Sequence, residues 1–330
     1  MVDPGAFDNR SPDSSSTEEA ATSLQGVRRA LLGLLFLLPK NAMSRWMGRF
    51  ASWPLPSRLQ RAEIRLFGWL AGVDLSEMRD EVEAFSSLQQ FFTRALRAGA
   101  RPIEGGRACL VSPCDGAWGA SGPIASGQLL QVKGRAYRVA DLLGDEELAD
   151  AYEGGCYATF YLSPRDYHRF HTPTAGRVVR LDYHPGSLWP VNSMGLQGID
   201  GLFARNERIC AYLEPESTVF VGGGVDVGWR SIALVAVGAT MVGSVRLAFN
   251  ELCTNVPGSV PIRREFGENA PHFTRGEEWG HFEFGSTIVM LTPPGELEID
   301  FRPLGEPLRM GEAIGCIHPV EPAEGETSRS

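Results

Sequence analysis

Three short stretches of this chain carry residue types able to do covalent chemistry. Phe284-Gly285-Ser286-Thr287 leads into the apolar run Ile288-Val289-Met290-Leu291. A glycine ahead of a serine lets the backbone take angles other residues resist, so the hydroxyl can approach the carbonyl of its own preceding peptide. The bond it attacks can then be internal to the chain. Gly-Ser also occurs at Gly186-Ser187, Gly243-Ser244 and Gly258-Ser259, so the dipeptide alone reads equally as a turn entering a strand. A second stretch runs Tyr161-Leu162-Ser163-Pro164-Arg165-Asp166-Tyr167-His168-Arg169-Phe170-His171-Thr172-Pro173 and sets His168 and His171 three apart. Imidazole, with a reference pKa of about 6.5, suits proton transfer near neutrality. The H-x-x-H spacing finds no companion among the acids and cysteines, so no metal is expected. The third stretch is Val111-Ser112-Pro113-Cys114-Asp115-Gly116. Its Asp-Gly reads as a hairpin turn, or as a carboxylate that orients a histidine. Asp, His and Ser in that order fit a conventional serine hydrolase as well as self-attack, although no G-x-S-x-G elbow surrounds Ser286.

The elements that must position these residues follow from composition and periodicity. With 330 residues, 43% of them hydrophobic, the chain can build a sizeable core. A net charge of −9 argues against a general nucleic-acid binder. Six cysteines without C-x-x-C spacing suggest neither zinc nor a dense disulfide framework, and fit a reducing, cytosol-facing compartment.

Residues 1–25 are acidic and poor in groups to bury, and read as a disordered tail. The ten apolar residues 30–39, closed by Pro39, fall short of the roughly 20 needed to cross a bilayer. The acidic leader and the lack of a small-x-small cleavage site disfavour a signal peptide. Met43, Trp46, Met47 and Phe50 form one stripe of a helix, and Ile64, Leu66, Phe67, Trp69 and Leu70 continue an apolar helical region. From Arg28 to Arg65 there are eight basic residues against one acid, Glu63, so residues 26–98 read as an in-plane anchor on an anionic membrane surface. A short helix around Leu88, Phe91 and Phe92 precedes a boundary at Ala98-Gly99-Ala100-Arg101-Pro102. Beyond it, over 99–330, the apolar period shifts towards two. Strands are expected at Tyr157 to Leu162, at Val179, Leu181 and Tyr183, at Leu297, Ile299 and Phe301, and as two short runs between Ile232 and Phe249. The expected fold is α+β, with membrane-docking helices ahead of a β-rich, sandwich-like domain.

In one order, the chain carries Phe91-Phe92-Thr93-Arg94-Ala95-Leu96-Arg97, Pro113-Cys114-Asp115-Gly116, Gln131-Val132-Lys133-Gly134, the stretch from Tyr161 to Pro173, Phe203-Ala204-Arg205-Asn206-Glu207-Arg208, Val237-Gly238-Ala239-Thr240-Met241-Val242-Gly243-Ser244 and Phe284-Gly285-Ser286-Thr287. Together these closely resemble phosphatidylserine decarboxylase proenzymes of the bacterial and mitochondrial type. The resemblance implies self-cleavage between Gly285 and Ser286, with Asp115 orienting His171 and His171 taking the Ser286 proton. It gives a β chain of residues 1–285 and an α chain of residues 286–330. Ser286 becomes a pyruvoyl group that joins the substrate amine as a Schiff base and takes up the electron pair left by CO2, so neither pyridoxal phosphate nor metal is implied. His168 is the implied proton donor. The implied substrate is phosphatidylserine in the membrane and the product phosphatidylethanolamine, with a homodimeric enzyme peripheral on the cytoplasmic face of the inner membrane and no nucleic-acid partner. A pyruvoyl decarboxylase of a soluble amino acid would share the cleavage without needing the helical front.

Overall fold

The computed structural model describes residues 39–131, 135–216, 231–240, 244–283, 287–295 and 297–317, without the side chains of Ser193 and Met194. The expected acidic tail, the apolar run before Pro39, and Phe284, Gly285 and Ser286 lie outside the described residues.

Two helices open the described chain, α1 (Lys40–Ser52) and α2 (Ser57–Ala71). Pro54 and Pro56 separate them, since the residue before a proline is pushed out of helical conformation. Gly72, in the left-handed region at φ 75°, closes α2 by donating its amide to the Trp69 carbonyl. The helices turn small or sparse side chains inward, Ser44 and Ala51 from α1 and Gln60, Ile64 and Gly68 from α2. Ile64 joins Val73, Met78, Val82 and Phe91 in a satellite core. Three large aromatic side chains point the other way. Trp46 is 70% exposed, Phe50 70% and Trp69 77%.

Beyond the helices the fold is antiparallel β. The largest sheet runs Ile262–Glu265, Gly176–His184, Arg208–Pro215, Ile232–Val237, Thr287–Thr292, Cys156–Tyr161, Gly116–Pro123 and Pro307–Leu308, with His272–Phe273 also on the Gly176–His184 strand. Two three-stranded sheets accompany it. One joins Val245–Leu247, Glu278–Phe282 and Arg169–His171, the other Cys109–Val111, Ala313–Ile317 and Leu297–Ile299. Phe170, Trp279 and Phe282 from the first, Leu110, Ile314 and Ile317 from the second, and Phe160, Leu234, Ile288 and Met290 from the large sheet share one core. That is the expected sandwich-like arrangement. The two short runs between Ile232 and Phe249 form strands of different sheets, and Phe301 lies beyond the end of its strand and is exposed. Short helices at Val139–Leu143, Glu146–Asp150, Ser193–Gly198 and Leu202–Arg205 interrupt the β region where the sequence pattern singled out none.

Three chain crossings between a small sheet and the large one position the site. Residues 112–115 lead from Cys109–Val111 to Gly116–Pro123, residues 172–175 from Arg169–His171 to Gly176–His184, and residues 283–286 from Glu278–Phe282 to Thr287–Thr292. Asp115, His171 and Ser286 each belong to one crossing or the strand end beside it.

Candidate active site

The junction at residues 284–286 is fixed on both flanks. Downstream, Thr287 pairs with Tyr161 on one side and Val237 on the other, in a strand whose six residues are all buried. Upstream, the Phe282 amide donates to the His168 carbonyl at 2.9 Å and the Glu283 amide to the Ser244 carbonyl at 2.8 Å. The Glu283 carboxylate also accepts from Ser244 Oγ at 2.5 Å and from Arg246 Nε at 2.6 Å.

His168 is fully buried beside Phe282. The Asp166 carboxylate accepts from both the amide and the hydroxyl of Ser163 at 2.7 Å, folding the loop so that the Asp166 carbonyl lies 2.8 Å from His168 Nδ1. A carbonyl only accepts, so Nδ1 carries the hydrogen and Nε2 the lone pair. Nε2 is buried without a hydrogen-bond partner among the described residues. The ring lies against Phe92, with centroids 4.0 Å apart. Arg94 Nη2 donates to the carbonyls of Arg165 at 3.0 Å and Asp166 at 3.2 Å. Burial, reinforced by the Arg94 charge, pushes His168 down to about 3, so the imidazole rests neutral.

His171 has its lone pair engaged. Its Nδ1 is 2.9 Å from the Gly276 carbonyl and its Nε2 3.2 Å from the Tyr167 hydroxyl. Burial raises the Tyr167 pKa, so the hydroxyl keeps its proton and donates. Burial also lowers His171. Only glycine fits at 276, because φ is 76° and a Cβ there would lie 2.3 Å from Ile103 Cδ1. The His171 amide bonds to the Pro113 carbonyl at 2.7 Å, which brings the Asp115 crossing alongside.

Asp115 does not hydrogen-bond His171 among the described residues. Its carboxylate accepts from Arg101 Nε at 2.8 Å, from Arg101 Nη2 at 2.5 Å and from the Met310 amide at 2.8 Å. Arg101 Nη2 also reaches Glu77 at 2.8 Å. Asp115-Gly116 is not the apex of a hairpin, as the Asp-Gly signal suggested. Gly116, at φ 147°, starts a strand in which a Cβ would lie 2.2 Å from the Tyr161 carbonyl oxygen. Arg94, Arg101 and Tyr167 were not given roles from the sequence. The Arg94 motif was visible, but its partners lie 71 and 72 residues away.

An apolar cavity of about 720 Å³, lined by Met47, Phe50, Phe67, Phe92 and Tyr161, reaches from α1 towards this centre. A polar cavity of about 360 Å³ lies against Arg94, Arg101 and Asp115, and the two share Gly116, Arg165, Asp166 and Pro307. Among the described residues no helix is long and apolar enough to cross a membrane.

A family model described as phosphatidylserine decarboxylase matches residues 88–316. The phosphatidylserine decarboxylase proenzyme of Anaeromyxobacter sp. (strain K) is 42% identical over 290 residues, covering 87% of this chain and 98% of that protein. The proenzyme of Brevibacillus brevis is 38% identical over 289 residues, covering 87% and 98%, and that of Myxococcus xanthus 37% over 292 residues, covering 88% and 99%. The match takes in all three sheet crossings, and by it the chain belongs to the phosphatidylserine decarboxylase family.

Proposed function

We propose that this chain cuts itself between Gly285 and Ser286 and then decarboxylates phosphatidylserine to phosphatidylethanolamine. The observation that carries this reading is the neutral, buried His168, tied through its own carbonyl to Phe282 and holding an open Nε2. In the first reaction His171 takes the Ser286 proton, the hydroxyl attacks the Gly285 carbonyl and the proton passes to the displaced amide nitrogen. Elimination of the resulting ester then frees Gly285 as a carboxylate, and water converts the dehydroalanine left at residue 286 into a keto group with loss of ammonia. Asp115, committed to Arg101, acts on His171 through its charge rather than by a hydrogen bond.

The keto group made from Ser286 supplies the electron sink for the pair left by departing CO2. Orphaned buried polar atoms near its strand, His168 Nε2, Thr287 Oγ1 and Tyr161 Oη, fit a small carbonyl-bearing group. Because His168 rests neutral, it must gain a proton before it can donate one. The substrate ammonium is the available source, and the same proton returned to the α carbon balances the step.

The lipid substrate accounts for the front of the chain. Trp46, Phe50, Trp53, Leu59, Leu66 and Trp69 leave an apolar face uncovered, with the exposed Arg49 and Arg58 alongside. Phe50 also lines the apolar cavity, so the lipid-facing surface continues into the site. This supports a peripheral position on a membrane surface, and the cytoplasmic face of the inner membrane is the side that the resemblance implies. The homodimer implied by resemblance is read by sedimentation. Ser286→Ala tests the whole reading. It should give one uncut band on a denaturing gel and release no CO2, whereas the parent gives two bands and an α chain without a normal amino terminus. A parent chain that stays in one piece while releasing CO2 overturns it.

A further inference from the structure

Cleavage would leave the α chain paired with the β chain through the strands Thr287–Thr292, Pro307–Leu308 and Ala313–Ile317. Within this framework two thiols from opposite sides of the cut face each other. Cys109 pairs directly with Cys316 between the antiparallel strands Cys109–Val111 and Ala313–Ile317. The Ile317 amide donates to the Ala108 carbonyl at 2.8 Å, so the hydrogen bond flanks the Cys109–Cys316 pair rather than joining it. In such a non-hydrogen-bonded pair the Cα atoms lie about 4.5 Å apart and the side chains approach most closely. That separation falls within the roughly 4.4–6.8 Å over which a disulfide can close.

Both thiols are only half-buried, whereas Cys114 and Cys210 are buried. Cys156 pairs with Thr292, and Cys253 forms a bridge with Arg246. Among the six cysteines, all of them described, Cys109 and Cys316 are the two that the strand register sets opposite one another.

We propose that Cys109 and Cys316 form a modification site that closes a disulfide when a low-molecular-weight disulfide is present, stapling the β chain to the α chain. The inference rests on the self-cleavage reading for its two-chain consequence, but the pairing itself does not. Cys109 as thiolate attacks one sulfur of the small disulfide, forming a mixed disulfide and releasing one small thiolate. Cys316, having lost its proton, then attacks Cys109 Sγ, breaks the mixed bond and releases the second small thiol. The two protein thiols are oxidised, the small disulfide is reduced to two thiols, and the protons balance. Burial and the carboxylates of Glu298 and Asp300 push the Cys316 thiol up, which disfavours Cys316 as the first attacking thiolate.

The test uses the full chain, incubated with glutathione disulfide, blocked with iodoacetamide and run on denaturing gels with and without reductant. The expected result is two bands with reductant and one species containing both chains without it. Peptide mapping should recover a Cys109–Cys316 cross-linked peptide. Cys109→Ser and Cys316→Ser should each restore two bands without reductant. Separate chains in the non-reducing lane of the parent, or a link that survives Cys109→Ser by using Cys156, overturn the proposal. A single band in the reducing lane counts instead against self-cleavage. The peptide map of that uncut chain still decides the disulfide, as it does if a serine variant fails to fold.

Discussion

The carbonyl oxygen of His168 accepts the amide hydrogen of Phe282 at 2.9 Å, four residues before Ser286. His171 pairs instead with Glu278, roughly 13 Å further back along the same strand at about 3.3 Å per residue. The two histidines therefore meet the Glu278–Phe282 strand at different points, one with an open lone pair and one whose lone pair a tyrosine fills.

The roles proposed for the two histidines imply a division of labour. In His168→Ala, self-cleavage should persist and a denaturing gel should still show two bands. Decarboxylation should fall by about 10²- to 10⁴-fold, the usual contribution of a positioned proton donor. Equal loss of cleavage and turnover would contradict the assignment.

Asp115 and Arg101 are both nearly buried, with side chains 8% and 7% exposed, so removing the Asp115 charge leaves Arg101 with Glu77 alone. Breaking such a pair typically costs about 3–5 kcal/mol. Measured in uncut Ser286→Ala protein, Asp115→Asn should lower the denaturant midpoint accordingly. Adding Arg101→Met should recover part of the loss, because the half-compensated buried cation goes with it while Glu77 keeps Arg309. In the parent background Asp115→Asn should also slow self-cleavage under conditions where the chain stays folded. An unchanged midpoint would remove Asp115 from the structural role described here.

The extent to which this arrangement is legible in the sequence depends on the range of the interactions. The Trp46 and Phe50 stripe can be read because a helix period is local, and its outward direction follows from the small inward-facing residues Ser44 and Ala51. The strand from Thr287 announces itself through Ile288 to Leu291. The strand Ile262–Glu265 does not, because it is a charged sheet edge with little to bury. Asp115, His168 and His171 stand out as reactive types, but what holds them comes from far along the chain. The Met310 amide on Asp115 is 195 residues away and the Gly276 carbonyl at His171 105 residues away. No spacing rule reaches across such distances, so the Met310 and Gly276 contacts emerge only from the fold.

Acid should expose the neutrality of His168. Its folded value is about 3, against 6.5 as the ordinary value. The unfolded chain therefore binds a proton that the native site refuses. The stability this contributes is complete above pH 6.5 and is lost as pH falls towards 3, at a limiting rate of about 1.4 kcal/mol per pH unit. Between pH 6 and 5, where most carboxylates remain ionised, His168→Gln should flatten the dependence of unfolding free energy on pH by about that amount. An unaltered slope would mean that His168 titrates normally in the folded protein.

Membrane docking can be separated from catalysis because Trp46 and Trp69 are exposed and line neither cavity at the site. Withdrawing a large apolar side chain from water is worth about 1.5–3 kcal/mol, and every 1.4 kcal/mol is a factor of ten in affinity. Trp46→Ser with Trp69→Ser should therefore weaken binding to phosphatidylserine-containing vesicles by roughly a hundredfold or more. Salt should weaken the residual binding further, since the charges of Arg49 and Arg58 are screened over about 10 Å at 0.1 M. Turnover of a short-chain, water-soluble phosphatidylserine should stay at the parent level, because its headgroup chemistry is untouched. Vesicle binding that survives both substitutions would show that the apolar face of α1 and α2 serves something other than the lipid surface.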